Sequence, residues 1–350
     1  MKNIVNLGNV ATYINGYAFK PSDWAEDGTP IIRIQDLTGN SYQMNRFKGI
    51  VDSKYDVNSG DVLISWSASL GVYVWNRGNA VLNQHIFKVV FDKEEVDKDF
   101  FVFQIDNLLK RAANQAHGAT MRHLTKPVFD ALPFYLPDIK TQRLISSKLN
   151  LIVHLIEDHH EQLKKLDELI RSRFLEMFGD IELNSQNMQK MMWQEVFDTQ
   201  TGKLDANAAV KGGRYPFFTC AKEISTIDEY AYDCEALLLA GNNAVGDYDV
   251  KYYKGKFNAY QRTYILMLKN RQYSYSVFKF QLEQKLRYLQ LQSKGTNTRY
   301  LTMGILRSLD FIVPPIVKQQ EFAQFVNATD KSKYRGRIFL HLLEDVSYML

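Results

Sequence analysis

Cysteine is scarce in this chain: Cys220 and Cys234 are the only two in 350 residues, with neither CxxC spacing nor a Cys/His quartet around them. A disulfide framework is thereby excluded and no zinc-ligand pattern is offered; two unpaired thiols suit a reducing compartment. Long apolar runs are also missing. Nothing approaches the roughly 18 residues a membrane helix needs, and the opening MKNIVNLGNVATYING lacks the apolar core of a signal peptide. A cytoplasmic protein is the expectation. The formal charge is only +4, so any nucleic-acid surface must be a local patch rather than a basic tail. No GxGxxG, Walker loop or Asn/Asp-Pro-Pro-aromatic tetrad occurs, and Pro314 and Pro315 in VPPI offer no side-chain acceptor for an exocyclic amine.

What the chain has is repetition. GATMRHLTKPVFDALPFYLPDIKTQ (118–142) aligns without a gap on GTNTRYLTMGILRSLDFIVPPIVKQ (295–319), matching Gly118/Gly295, Arg122/Arg299, Leu124/Leu301, Thr125/Thr302, Leu132/Leu309, Phe134/Phe311, Pro137/Pro314 and Gln142/Gln319. NQHIF (83–87) and YQRTY (260–264) align at the same offset of 177. That is about half the chain, so the repeat is a whole domain with its helix rather than a short solenoid motif. A hydrophobic content of 45%, with Phe 21 and Tyr 20, supports two cores of ordinary size.

Each half reads as mixed α+β. IIRI (31–34), DVLISW (61–66) and GVYVW (71–75) are strand-like runs between Gly, Asn and Asp turns, followed by a helix over 100–115. EALLLAG (235–241), KYYKGKF (251–257) and TYILML (263–268) repeat the pattern, with a helix expected over 276–292. Between the halves, Ile145, Leu149, Ile152, Ile156, His159, Leu163, Leu166 and Ile170 form a heptad seam. A helix from Thr141 to Phe178 would be roughly 57 Å long, closed by Gly179 in a left-handed conformation. The second PxIxxQ (Pro314, Ile316, Gln319) should start a partner helix. There the seam meets Thr329, Lys333 and Gly336, and RIFLHLLEDVSYML resumes in another register, so this helix is expected to be shorter, kinked or frayed near Gly336.

The combination resembles one family, the DNA specificity subunits of type I restriction-modification systems. It rests on LGNVATYINGYAFKPSDW with GTPIIRIQDL (28–37), GDVLISWSASLG (60–71) with VLNQHIFKV (81–89), the twice-used GxxxRxLT and PxIxxQ, LDELIRSRFLEMFGD, and GGRYPFFTC (212–220). The closing RIFLHLLEDVSYML departs from the family's usual last helix. The resemblance implies two target recognition domains of mixed α/β structure, at 1–138 and 193–315, each reading half of a bipartite duplex sequence. Helices at 139–180 and 316–350 would form an antiparallel coiled coil that sets the gap in a pseudo-twofold internal repeat, with 181–192 as linker. The implied partners are double-stranded DNA, two modification subunits that bind S-adenosylmethionine and methylate adenine, and restriction subunits using ATP and Mg²⁺. This chain itself would carry no catalytic residue, cofactor or metal.

Base reading needs forked donors and acceptors, and phosphate contacts position the protein. The first half offers Lys20, Arg33, Gln35, Asp36, Ser65, Ser67, Asn83, Gln84 and His85; Trp66 and Trp75 are platforms or core. The second offers Lys203, Lys211, Arg214, Asn242, Asn243, Tyr260, Gln261 and Arg262, although GNNAVGDYD could equally be rich in Asn and Gly for turn reasons alone. Arg122 and Arg299 are common to both halves. Readers of different sequences should share what is not sequence-specific, so these two arginines are assigned to phosphate contact or to an internal ion pair that fixes the domain on its helix, ahead of base contact. Glu283 and Lys285, with Asp247 or Asp249 upstream, could suggest a nuclease, but such a triplet in an amphipathic run reads as a solvated helix face. The alternatives in other classes are a self-contained restriction endonuclease or methyltransferase with two DNA-binding domains, and a coiled-coil scaffold.

Overall fold

The computed structural model describes residues 3–67, 69–115, 125–295 and 297–349; Gly118, Arg122 and His123 of the first repeated motif lie outside them. Two compact units form, one of residues 1–158 with 341–350, the other of residues 159–340.

In the first unit the main sheet has the order Thr12–Asn15, Ile86–Val90, Val62–Ser65, Gly71–Val74. Val62, Ile64, Phe87 and Val89 alternate onto one face and bury against Phe100, Phe101, Ile105 and Leu109 of the helix Lys98–Gln115, the period-2 and period-3.6 patterns meeting as they must. A second sheet is built on the parallel pair Ile31–Ile32 with Val81–Leu82. The strand seen in IIRI stops at Ile32, and Ile34–Leu37 is a helical turn, because Asp36 accepts from the Arg33 main-chain N–H at 2.9 Å and caps it.

The second unit repeats the order: Phe197–Thr201, Thr263–Leu268, Tyr232–Ala240, Val250–Ala259, then Tyr215–Phe218 and Ser225–Ile227. Its registers correspond. Phe87 faces Asn15 as Tyr264 faces Thr201, Ser65 faces Ile86 as Ala240 faces Thr263, and the parallel pair recurs as Phe217–Phe218 with Asn258–Ala259. Two strands of the first half, Gly71–Val74 and Ala80–Leu82, correspond to one ten-residue strand, Val250–Ala259, in the second. The helix expected over 276–292 is broken into Tyr275–Gln284 and Leu286–Gln292 at Lys285, whose ammonium lies 3.3 Å from Asp310.

The first long helix runs unbroken from Ile139 to Phe178, and Gly179 follows at φ 73, its N–H bonded to Leu175 O. The second runs from Ile316 to Met349. It is neither short nor broken at Gly336, and the physical reason is that the glycine sits against the partner helix: a Cβ there would lie 3.4 Å from Leu163 Cδ2. Nor does the register fail. Phe322, Thr329 and Leu340 are buried, and with Val326, Lys333 and Gly336 they make one seam in steps of four and three. Within the second unit the helices pack antiparallel. Phe322 meets Phe174 and Phe178 at 5.3 and 5.6 Å, Lys333 bonds Asp167 at 2.8 Å, and Phe339 meets His159 at 4.8 Å. Lys333 is 13% exposed. Burial pulls its ammonium pKa down, but Asp167 and Asp330 outweigh this and hold it above the ordinary value.

Candidate nucleic-acid interface

A tight turn ends the parallel pair in each half: Asn83–His85 in the first, Tyr260–Arg262 in the second. Both are held the same way. Gln84 N–H donates to Tyr17 O and Gln261 N–H to Leu204 O, each at 2.8 Å, while Tyr17 bridges Asn83 and Leu204 bridges Tyr260. Beneath each turn lies a glycine. A Cβ on Gly16 would stand 2.0 Å from Asn83 O, and one on Gly202 would stand 2.1 Å from Ala259 O, so only glycine permits this approach. Sequence reasoning did not single out these two, although both stand in an N/T-G step before the turn's partner residue.

At the first turn Asn83, Gln84 and His85 gather beside Trp66, whose indole N–H donates to Asn15 Oδ1 at 3.2 Å. His85 adopts φ 72, a left-handed conformation uncommon outside glycine. Ser65 and Ser67 are buried, and the Ser65 hydroxyl donates to Ser69 O. Trp75 is core, donating to Gly78 O at 2.6 Å. Asp36, 1% exposed, receives Arg33 Nε at 3.1 Å, and the same guanidinium donates to Gln43 O at 3.2 Å. Asp36 therefore orients Arg33, while Gln35 and Lys20 are exposed.

At the second turn Tyr260, Gln261 and Arg262 stand beside Gly241 and the two-residue strand Asn242–Asn243, which pairs with Arg299–Tyr300. Asn243 Oδ1 accepts from Val245 N at 2.9 Å and Asp247 N at 3.3 Å, so its side chain builds the turn. Arg299 Nη1 donates to Gln290 O at 3.2 Å, a hydrogen bond within the second half. Lys203 follows Gly202 and is exposed. Lys211 and Arg214 stand on the exposed edge of the outer hairpin, where Arg214 lies 5.9 Å from the Tyr215 ring and Lys256 lies 4.6 Å from Tyr230. Lys256 and Tyr230 were missed, yet the alternation in KYYKGKF places Tyr252, Lys254 and Lys256 on one exposed face.

The residues that could have suggested a nuclease are engaged elsewhere. Glu283 pairs with Lys279 at 2.5 Å, Lys285 with Asp310, Asp247 with Lys222 at 2.6 Å, and Asp249 with Lys251. Among the described residues no group of three or more His, Cys, Asp or Glu is placed to hold a metal ion, and no helix is long and apolar enough to cross a membrane.

Each half is joined to its long helix by one buried glutamine. Gln142 Oε1 accepts from Asp97 N at 2.9 Å, and its Nε2 donates to Pro137 O at 2.8 Å and Glu95 O at 3.3 Å. Gln319 Oε1 accepts from Ser274 N at 2.9 Å, and its Nε2 donates to Pro314 O at 2.7 Å. Asp97 and Ser274 precede the helices Lys98–Gln115 and Tyr275–Gln284. A polar group this deeply buried is costly unless bonded, and here both ends of the amide are.

Two sheets of common topology, each ending in a polar turn and each clamped to its own long helix, define a duplicated binding protein. The chain belongs to the type I restriction modification DNA specificity domain family, whose model matches residues 2–168 and 185–335. It is 38% identical over 132 residues to the type I restriction enzyme EcoDI specificity subunit of Escherichia coli, covering 37% of this chain and 28% of that protein. To the EcoBI specificity subunit of the same organism it is 25% identical over 170 residues, covering 48% and 35%. The chain thus spans about a third of the length of these curated relatives. In fold it is similar to the crystal structure of a type I restriction-modification S subunit from M. genitalium, with TM-score 0.63, 13% identity and 99% and 94% of the two chains covered.

Proposed function

We propose that this chain is the sequence-reading subunit of a type I restriction-modification complex in the cytoplasm. Residues 1–138 and 193–315 each read one half of a bipartite duplex site, and the long helices set the gap between the halves. Adenine methylation belongs to two modification subunits that carry S-adenosylmethionine, and cleavage to restriction subunits that use ATP and Mg²⁺. The observation that carries this reading is the contrast between constant joints and unlike rims: the Gln142 and Gln319 clamps coincide, while the turns of the two halves present Asn-Gln-His in one and Tyr-Gln-Arg in the other. A catalytic subunit would need one gathered centre; a bipartite reader needs two different rims on one frame. Of the candidate residues, the exposed or half-exposed Lys20, Gln35, Asn83, Gln84, His85, Lys203, Lys211, Arg214, Tyr260, Gln261 and Arg262 are assigned to DNA.

The test is to co-express the chain with its modification subunits and map methyladenine genome-wide. One bipartite motif with a fixed gap is expected. Exchanging residues 193–315 for those of another family member should change one half of the motif. A change in both halves would overturn the assignment of domains to half-sites.

A further inference from the structure

In the second half, Thr201, Gly241, Gln261, Arg262, Tyr264 and Leu301 enclose a cavity of about 260 Å³. Its floor is knit by main-chain bonds. Gly241 N–H donates to Arg262 O at 2.9 Å, Leu301 N–H to Gly241 O at 2.8 Å, and the Tyr264 hydroxyl to Leu301 O at 3.0 Å. Tyr264 and Leu301 are buried, whereas Gln261 and Arg262 stand exposed at the mouth. Among the described residues neither the Arg262 guanidinium nor the Gln261 carboxamide has a hydrogen bond or ion pair. Two unspent forked groups therefore stand over a preformed hollow whose lining is mostly polar. The hollow is smaller than the 300–1,000 Å³ or so of a typical small-molecule site, a size for one small group rather than a whole ligand.

The first half shows what happens without the hollow. Trp66 N–H donates to His85 O at 3.3 Å, the bond that Gly241 makes to Arg262 O, so Trp66 and Gly241 hold the same place. The Trp66 ring stacks on Phe87 at 5.6 Å, meets the His85 ring at 5.0 Å and bonds Asn15. These three are the counterparts of Tyr264, Arg262 and Thr201, so the indole fills the hollow. At Gly241 a Cβ would stand 2.2 Å from Arg262 O. The opening is maintained by glycine, and the tryptophan in the first half goes together with the left-handed backbone of His85.

We propose that the Gly241 hollow gives the second reader a specificity-determining arginine: Arg262, left unpaired at its mouth, forks onto the O6 and N7 atoms of a guanine in the major groove. Arginine to guanine is the pairing this edge favours. The inference rests on the reading of this chain as a bipartite DNA reader.

The experiment uses the complex with its modification subunits and duplexes carrying its mapped site, substituted one base at a time with 7-deazaguanine. With the unaltered chain, one guanine in the half-site assigned to residues 193–315 should lose about tenfold to hundredfold in affinity when N7 is removed. Arg262→Ala should show no further loss at that guanine and leave the other half-site and the gap unchanged. If Arg262→Ala weakens every duplex alike and flattens the salt dependence, Arg262 is a phosphate contact and the guanine contact is overturned, while the bipartite reading survives. If no guanine of the second half-site couples to Arg262, the guanine contact is likewise overturned. A complex that marks no bipartite motif at all would instead sink the underlying reading.

Discussion

Trp66 and Gly241 occupy one position in two sheets that share strand order and register, and the side chains around them have little in common. Gln142 and Gln319 occupy one position at two helix starts, and their bonds are nearly identical. The strand ends have thus diverged, while the glutamine clamps between sheet and helix are kept. The reason is energetic. A change at an exposed turn is usually worth within about 0.5 kcal/mol of stability, but a buried amide left without its partner costs about 1–3 kcal/mol.

The largest expected break in the likeness lies where the helices meet their halves. Phe322 is fully buried among Phe174, Phe178, Val277 and Phe280, whereas its counterpart Ile145 is only partly buried at the edge of the first core. Phe322→Ala should destabilise the second half by about 3–5 kcal/mol and Ile145→Ala the first by less. Denaturation followed by fluorescence separates the two, since Trp193 alone reports the second half and Trp24, Trp66 and Trp75 the first. Next come the clamps. Gln142→Leu and Gln319→Leu should each cost about 1–3 kcal/mol per buried group left unbonded, Gln142 the more because it grips three groups to the two of Gln319; amide protection lost at only one of Asp97 and Ser274 would refute the equivalence of the joints.

Gly336→Ala should be smaller and of opposite sign. Its Cβ would just touch Leu163 and a helix gains up to about 1 kcal/mol on losing a glycine, so a raised melting temperature is expected. The smallest effect is on pH. The Lys333 pKa is raised in the folded state from an ordinary 10.5; its contribution is therefore complete below pH 10.5 and fades as pH climbs through the raised value. Lys333→Met should lower stability at neutral pH, where the ammonium's contribution is complete, and flatten the profile across that alkaline window.

Much of this was legible in the sequence. The offset from Gln142 to Gln319 found the joints and the start of the second long helix, period-2 patterns found the sheets, and the heptad seam found the first long helix. The N-terminal elements escaped because their offset is larger, 186 residues from Gly16 to Gly202, so an ungapped comparison passes over the glycines under the turns. Gly336 and Lys333 were read as breaks in a seam because a helical pattern cannot show how near the neighbouring helix lies, nor that Asp167 waits opposite a lysine. The break at Lys285 was hidden for a similar reason, its partner Asp310 being 25 residues away. At the rim, residue type found Gln261 and Arg262, but only the register of the sheets reveals that a tryptophan and a glycine hold the same place.

The glutamine clamp has one more consequence. Every group it grips, Asp97 N, Glu95 O and Pro137 O on one side and Ser274 N and Pro314 O on the other, belongs to the main chain. The socket is therefore blind to the side chains of whatever is plugged into it. Aspartate in one copy and serine in the other are gripped alike, which leaves inheritance free to exchange the whole body of a half without renegotiating its attachment to the frame.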